Sequence, residues 1–316
     1  MKEELVSIII PTYNRAHLIG ETLDSIIAQS YRQWECLIVD DHSTDYTEEL
    51  LQFYTTSDPR IKYFKRPAKK PKGANACRNY GFEKSIGEFV NWFDSDDLMH
   101  SEKLKLQVKA ITNKPYNFSV CQILVFENSD KIRVKTRHPK IYSKNALDDY
   151  ISIKIVFLTP SVLWKREFIA SMDVLFQEDL QAAQEWEFFS RCLFKSPDYH
   201  YIKKSLVFVR QHLNSISYSN DEQRHLHYFK AREKVFKYLK SKNYFSKYLS
   251  NYFLSFYRIN LLKGDFVCAF KILKNQLIID KKLNPEYKLK LVLAFFSYLI
   301  FGRGEILLKN TKPNNS

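Results

Sequence analysis

The chain has 316 residues, is 45% hydrophobic and 27% charged, and has a mean hydropathy of -0.37. This composition excludes a disordered chain and leaves room for one large or two modest domains. Five scattered cysteines without a CxxC exclude a zinc knuckle and a disulfide framework and fit a reducing compartment. Formal net charge is +14, and the excess is late: from Asn220 onward 19 Lys and Arg stand against 7 Asp and Glu. The expected division is a nearly neutral module over 1–219 and a basic, aromatic-rich helical region over 220–316.

The N-terminus lacks the positive region and long apolar stretch of a secretory signal. Leu5 to Ile10 is a continuous apolar run, as in a buried parallel strand, closed by Pro11-Thr12-Tyr13-Asn14. His17 to Ala28 has the one-sided spacing of a helix. Trp34 to Val39 is the next strand and ends in Asp40-Asp41. Ser43-Thr44-Asp45 opens a helix with Leu50, Leu51 and Phe53 on its packing face, and Arg60 to Lys65 is a third strand. Strand and helix alternate, which predicts a doubly wound α/β layer. Neither GxGxxG nor GxxxxGK[ST] follows the first strand, so the glycines of dinucleotide and P-loop sites are missing.

A basic loop, Arg66 to Lys72, feeds a short helix over 73–81 and suits an anion such as a diphosphate. A solvated surface loop is the alternative. Gly87 to Phe93 then reads as a strand that delivers Asp94-Ser95-Asp96-Asp97. Crowding three carboxylates is costly without a cation, and strand ends of open α/β sheets are where ligands bind. Oxygens spaced i, i+2 suit a hard divalent ion that also grips a diphosphate. An acidic turn capping a helix is the alternative. Further on, a helix is expected over 102–111, paired strands over 118–126 and 132–136, and a strand over 153–159. For 161–168 strand and helix stay open. A helix over 184–193 carries Glu185 near its start, and a strand over 201–210 delivers Arg210 and His212 to a polar loop.

Together these stretches resemble the inverting family-two glycosyltransferases of bacterial polysaccharide and lipopolysaccharide synthesis, which have a GT-A fold. The resemblance rests on Ser7 to Arg15, Ser25 to Tyr31, Ile38 to Asp45, the Ala-Cys-Arg-Asn of Gly73 to Gly81, and Asp94-Ser95-Asp96 as a DxD motif. His42 departs from it, standing where the family usually has glycine. The resemblance implies a Rossmann-like mixed α/β sheet and a nucleotide-diphosphate sugar donor, with UDP as the nucleotide. Carried over, Pro11, Thr12 and Tyr13 border the base, Asp40 recognises it, and Arg78 lies near the sugar diphosphate. Asp94 contacts ribose, and Asp96 binds Mn²⁺ or Mg²⁺. Asp97 is expected to be a cap or supporting group. His212 resembles a late histidine that approaches the metal or diphosphate; a polar-loop histidine is its alternative. The family places an acidic pair before a tryptophan, and Gln184-Glu185 precede Trp186 here, so Glu185 is the expected base. Glu178 and Asp179 are its nearby substitutes.

Four helices are expected after Asp221, with Leu249, Phe253, Phe256 and Tyr257 forming an apolar face among lysines. A helical subdomain that packs on the catalytic module and leaves its lysines in solvent is one reading. Peripheral contact with anionic lipid, at the inner face of the cytoplasmic membrane, is the other and the one adopted. The longest apolar segment, Leu291 to Phe301, is shorter than the roughly 20 residues a span requires. No recognition motif supports nucleic acid. The expected function is transfer of a sugar to a hydroxyl of a glycan or lipid-linked glycan. A catalytically weak carbohydrate or nucleotide-sugar binding protein is the alternative.

Overall fold

The computed structural model describes residues 4–127, 135–211 and 222–308. The chain divides into two compact units, Met1–Ala231 and Arg232–Ser316.

Unit one is built on a single mixed sheet. Its strands are β1 (Val6–Thr12), β2 (Trp34–Asp40), β3 (Ile61–Lys65), β4 (Phe89–Trp92), β5 (Leu98–Met99), β6 (Phe118–Glu127), β7 (Lys135–Thr136), β8 (Val162–Lys165) and β9 (His200–Gln211). The order is β3-β2-β1-β4-β8-β6-β9-β5, with β7 beside β6. The run β3-β2-β1-β4 is parallel, and the ladder turns antiparallel where β4 meets β8. Every residue of β1 and β2 is buried, which explains why both read as unbroken apolar runs. The chain leaves β1 for β2 on one side and returns from β3 to β4 on the other. The carboxyl ends of β1 and β4 thus flank the point where an open sheet takes its ligand.

Helices cover the sheet. From α1 (Ile19–Ile27) and α4 (Lys103–Ile111), Leu23, Ile26, Leu104 and Val108 join Ile8, Ile10 and Cys121 in one core. Over β1 and β2 lies α3 (Ala74–Lys84), close enough that a Cβ on Gly81 would stand 2.3 Å from Ile9 Cγ2. Gly81 is therefore a contact residue inside the helix, which runs past the expected end at 81. On α2 (Thr47–Ser57), Leu51 is fully buried, but Phe53 is 66% exposed and does not pack as expected; Tyr54 packs instead and donates to Asp24 Oδ1 at 2.8 Å.

The strand expected over 153–159 is not there. A helix, α5 (Ala146–Ile151), ends just before it, and Ile153 takes a left-handed φ of 62°. The Lys154 and Ile155 amides turn back to the Asp149 carbonyl, so Ile155 and Phe157 are buried by packing rather than by a ladder. A 3₁₀ turn, Thr159–Ser161, follows. The open stretch after it is both alternatives in succession, β8 and then α6 (Arg166–Ala170). As expected, β6 and β7 pair antiparallel; their turn at 128–130 lies outside the described residues, as does His212. Next comes α7 (Gln184–Lys195).

Unit two is helical. It takes the later part of α8 (Glu222–Ser241), then α9 (Lys247–Lys263), α10 (Phe266–Ile272), a π turn over Leu273–Leu277, α11 (Pro285–Phe301) and α12 (Glu305–Leu308). Asn284 caps α11 by accepting from the Tyr287 amide at 2.6 Å, with Pro285 in the first turn. The apolar face read from α9 is corrected here. Leu249, Phe253 and Tyr257 are the core of this unit, and Tyr257 donates to the Leu291 carbonyl at 2.7 Å. Exposed apolar residues of this unit include Ile259 and Leu262 late in α9 and, on α10 and α11, Val267, Phe270, Leu289, Leu293, Phe296 and Ile300. Among the described residues no helix is long and apolar enough to cross a membrane.

Candidate active site

The ends of β1, β2 and β4 bring the sequence-predicted residues to one edge of the sheet. Pro11 and Thr12 close β1, and Thr12 stands beside Asp40 in the ladder. The Thr12 hydroxyl is buried with no hydrogen-bond partner among the described residues, and Tyr13 is partly exposed with Lys72 Nζ 4.5 Å from its ring centre. Asp40 is buried and accepts from the Ser43 amide at 3.1 Å and from Tyr63 Oη at 3.0 Å. It therefore closes its own turn. His42 follows with φ 62°, a conformation that favours glycine, and donates from Nε2 to the Arg66 carbonyl at 2.9 Å. The backbone shape survives the substitution because that bond offsets its modest cost.

The basic loop is partly neutralised by the chain itself. Arg66 is buried in an ion pair with Asp41, whose other oxygen accepts from the Gly73 amide at 2.9 Å. Lys70 pairs with Glu83 at 2.7 Å.

On α3, Arg78 is buried and donates to Asp94 Oδ1 at 2.8 Å. Two asparagines on the same helix do something the sequence did not reveal. Asn75 donates to the carbonyls of Gln177 (2.9 Å) and Leu180 (2.7 Å). Asn79 donates to the Phe176 carbonyl and Glu178 Oε1, both at 2.9 Å, and accepts from the Phe176 amide at 3.1 Å. They clamp the loop leading to α7. Glu178 is used in that clamp. The clamped backbone lies about a hundred residues away in sequence, so no local pattern announces it.

Asp94 and Asp96 are partly exposed, whereas Asp97 is buried. Burial, reinforced by Asp94 and Asp96, drives the Asp97 carboxyl well above the usual carboxylate range. Asp97 caps no helix: it accepts from the Arg210 amide at 3.0 Å. Arg210, which had no assigned role, also donates from Nε to the Asp96 carbonyl at 3.1 Å and pairs with Glu21 at 2.6 Å. Arg15 Nε lies 3.8 Å from Asp96 Oδ2.

Glu185 sits half-buried in the first turn of α7, where the helix dipole favours a carboxylate. Oε1 accepts from the Thr159 hydroxyl and from the Thr159 amide at 3.3 Å. Burial and then Asp94 raise its carboxyl above the ordinary value, against the opposing pull of Thr159 and Arg78. Glu185 thus shares an electrostatic environment with Asp94 and Arg78.

For a divalent ion, Asp94 and Asp96 supply hard oxygens of the right chemistry. Among the described residues no three His, Cys, Asp or Glu could hold a metal together. Asp96 would need diphosphate oxygens and water to complete a shell, as Mg²⁺ and Mn²⁺ sites at phosphates commonly do.

The family model for glycosyl transferase family 2 matches residues 7–170. The chain belongs to this family. An uncharacterized glycosyltransferase of Rickettsia felis is 34% identical over 146 residues, covering 46% of this chain and 23% of its own. The Escherichia coli UDP-Glc:alpha-D-GlcNAc-diphosphoundecaprenol beta-1,3-glucosyltransferase WfgD is 35% identical over 130 residues, 41% of this chain and 49% of its own. The chain thus spans less than half the length of both relatives. Staphylococcus aureus TarS residues 1–349 in complex with UDP-GlcNAc share the fold, with a TM-score of 0.61 and 17% identity, over 96% of this chain and 84% of that one. So does the mannosyltransferase PcManGT of Pyrobaculum calidifontis in complex with GDP-Man and Mn²⁺, with a TM-score of 0.52 and 18% identity, over 94% and 81%.

Proposed function

We propose that the chain is an inverting glycosyltransferase that moves a sugar from a UDP-sugar to a hydroxyl of a glycan or lipid-linked glycan. The observation that carries this reading is geometric: the adjacent ends of β1, β2 and β4 gather Thr12, Asp40 and Asp94 at one edge of the sheet, where Arg78 donates to Asp94 Oδ1 at 2.8 Å. Family membership supports transfer, and the named activity of WfgD supports both the nucleotide and a lipid-linked acceptor.

In this reading Pro11, Thr12 and Tyr13 border the base, with Asp40 holding the turn beneath it. Asp94 meets ribose. Arg78 stabilises negative charge as it grows on the departing diphosphate. Asp96, with His212 as a further ligand, would hold Mn²⁺ or Mg²⁺, which supplies Lewis-acid neutralisation of the same charge. The Mn²⁺ bound by PcManGT supports that choice. Glu185 takes the proton of the acceptor hydroxyl as its oxygen attacks the anomeric carbon from the face opposite the diphosphate. The raised affinity of its carboxyl for protons brings it nearer to neutrality, where a base works best.

The basic helical region is proposed to rest on anionic lipid at the inner face of the cytoplasmic membrane. From Arg232 onward 17 Lys and Arg face 5 Asp and Glu, and the apolar residues exposed on α10 and α11 are those that would enter the headgroup layer. The functional test is a panel of nucleotide-sugar donors with Mn²⁺, reading released nucleoside diphosphate in the native chain, Asp96→Ala and Glu185→Gln. Donor binding without turnover in the native chain would favour a nucleotide-sugar binding protein instead.

A further inference from the structure

Thr159 is fully buried at the start of the 3₁₀ turn before β8 and lies 26 residues from Glu185. Both of its donors, the hydroxyl and the amide, go to the same atom, Glu185 Oε1. Among the described residues no hydrogen bond reaches Oε2.

The turn itself is anchored from the donor side. Asn91, the β4 residue three places before Asp94, donates to the carbonyls of Pro160 (3.3 Å) and Val162 (2.8 Å). Lys103 Nζ donates to Asn91 Oδ1 at 2.9 Å, and Gln107 of α4 donates to the Ser161 carbonyl at 2.9 Å. Thr159 is thus fixed by the strand that presents Asp94, and it in turn fixes the rotamer of Glu185.

We infer that Thr159 is the positioning residue of the proposed base: it occupies Oε1 with two donors and directs Oε2 at the acceptor hydroxyl. This rests on the reading of Glu185 as base. The arrangement does for a carboxylate what an orienting partner does for a catalytic histidine: it selects one geometry and favours the ionised form before substrate arrives. It also suits a glutamate at this position. A glutamate has one more rotatable bond than an aspartate, and a fixed contact at one oxygen removes that freedom.

The charged and titratable groups around Glu185 are Asp94 and Asp97 from the loop after β4, Arg78 of α3 and Tyr150 of α5. None of them changes in the test variants. Thr159→Val keeps the shape and the amide donor but loses the hydroxyl; Thr159→Ser keeps both donors.

The first readout does not depend on turnover. The Glu185 carboxyl is titrated in protein labelled with ¹³C at glutamate side chains, with Glu185→Gln assigning the signal. Thr159→Val should raise its midpoint by about one pH unit, the effect of losing one hydrogen bond to a charged group, and Thr159→Ser should restore it. The second readout is nucleoside diphosphate release from the donor, with water as acceptor. Thr159→Val should lower kcat about tenfold, leave donor KM unchanged and move the acidic limb of the pH profile upward. An unmoved Glu185 midpoint in Thr159→Val, or a fall in donor affinity with kcat unchanged, would overturn the assignment. Full release by Glu185→Gln would overturn the base reading itself. That failure is distinguishable, because the titration of Thr159→Val is read independently of release.

Discussion

Lys103 is fully buried in α4, and Nζ donates to Asn91 Oδ1. Burial lowers its pKa from an ordinary 10.5 to about 8. Because the folded pKa is depressed, the unfolded chain binds more protons between about 8 and 10.5, and native stability rises with pH across that window. Below pH 8 the buried charge carries its full penalty, on the order of 3 kcal/mol. Lys103→Met removes the titration. Urea unfolding at pH 7, 8, 9 and 10 should therefore show the native chain gaining stability relative to the variant as pH rises, whatever their offset at pH 7. Parallel curves would remove the buried charge from the account. No sequence pattern marks this lysine, since it occupies a position that reads as one polar member of an amphipathic helix. Arg78, Asp94 and Asp96 were legible because motif spacing fixes them on one loop and one helix. Thr159 was not, because its partner lies on another element.

Elements of the parallel half of the sheet were legible because β1 and β2 are buried on both faces and flanked by turn residues. The error at 153–159 has the same root: an apolar run signals burial, not extension, and Ile153 breaks the backbone with a left-handed φ. The short β5 and α5 carry too few residues for a period to register. At this scale the key device is the clamp from α3 to the loop before α7. Asn79→Ala deletes three hydrogen bonds to Phe176 and Glu178, at a cost of about 1–3 kcal/mol. Hydrogen exchange should show the Phe176 amide losing protection while the β1 amides keep theirs. An unchanged Phe176 amide would mean that the loop is held by other contacts.

For the whole molecule, charge asymmetry along the chain was readable at once, but the face that carries it was not. The α9 residues that looked sticky became the core of unit two, whereas Leu289, Leu293, Phe296 and Ile300 recur at helical spacing along the exposed side of α11. Phe270 joins them through Phe295, with ring centres 5.6 Å apart for Phe270–Phe295 and 5.6 Å for Phe295–Phe296. The native chain should co-sediment with phosphatidylglycerol-containing vesicles at low salt and release as salt is raised. The double variant Leu293→Glu/Phe296→Glu should lose binding without losing helicity. Equal binding by that variant would remove α11 from the contact.

The central claim, that a carboxylate on α7 and a metal-gripping carboxylate after β4 serve one transfer reaction, is tested most directly by the donor panel with Mn²⁺. The native chain should release nucleoside diphosphate from one UDP-sugar. Asp96→Ala and Glu185→Gln should each lower kcat at least a hundredfold, with Glu185→Gln retaining donor affinity. Near-native turnover in either variant would contradict the account.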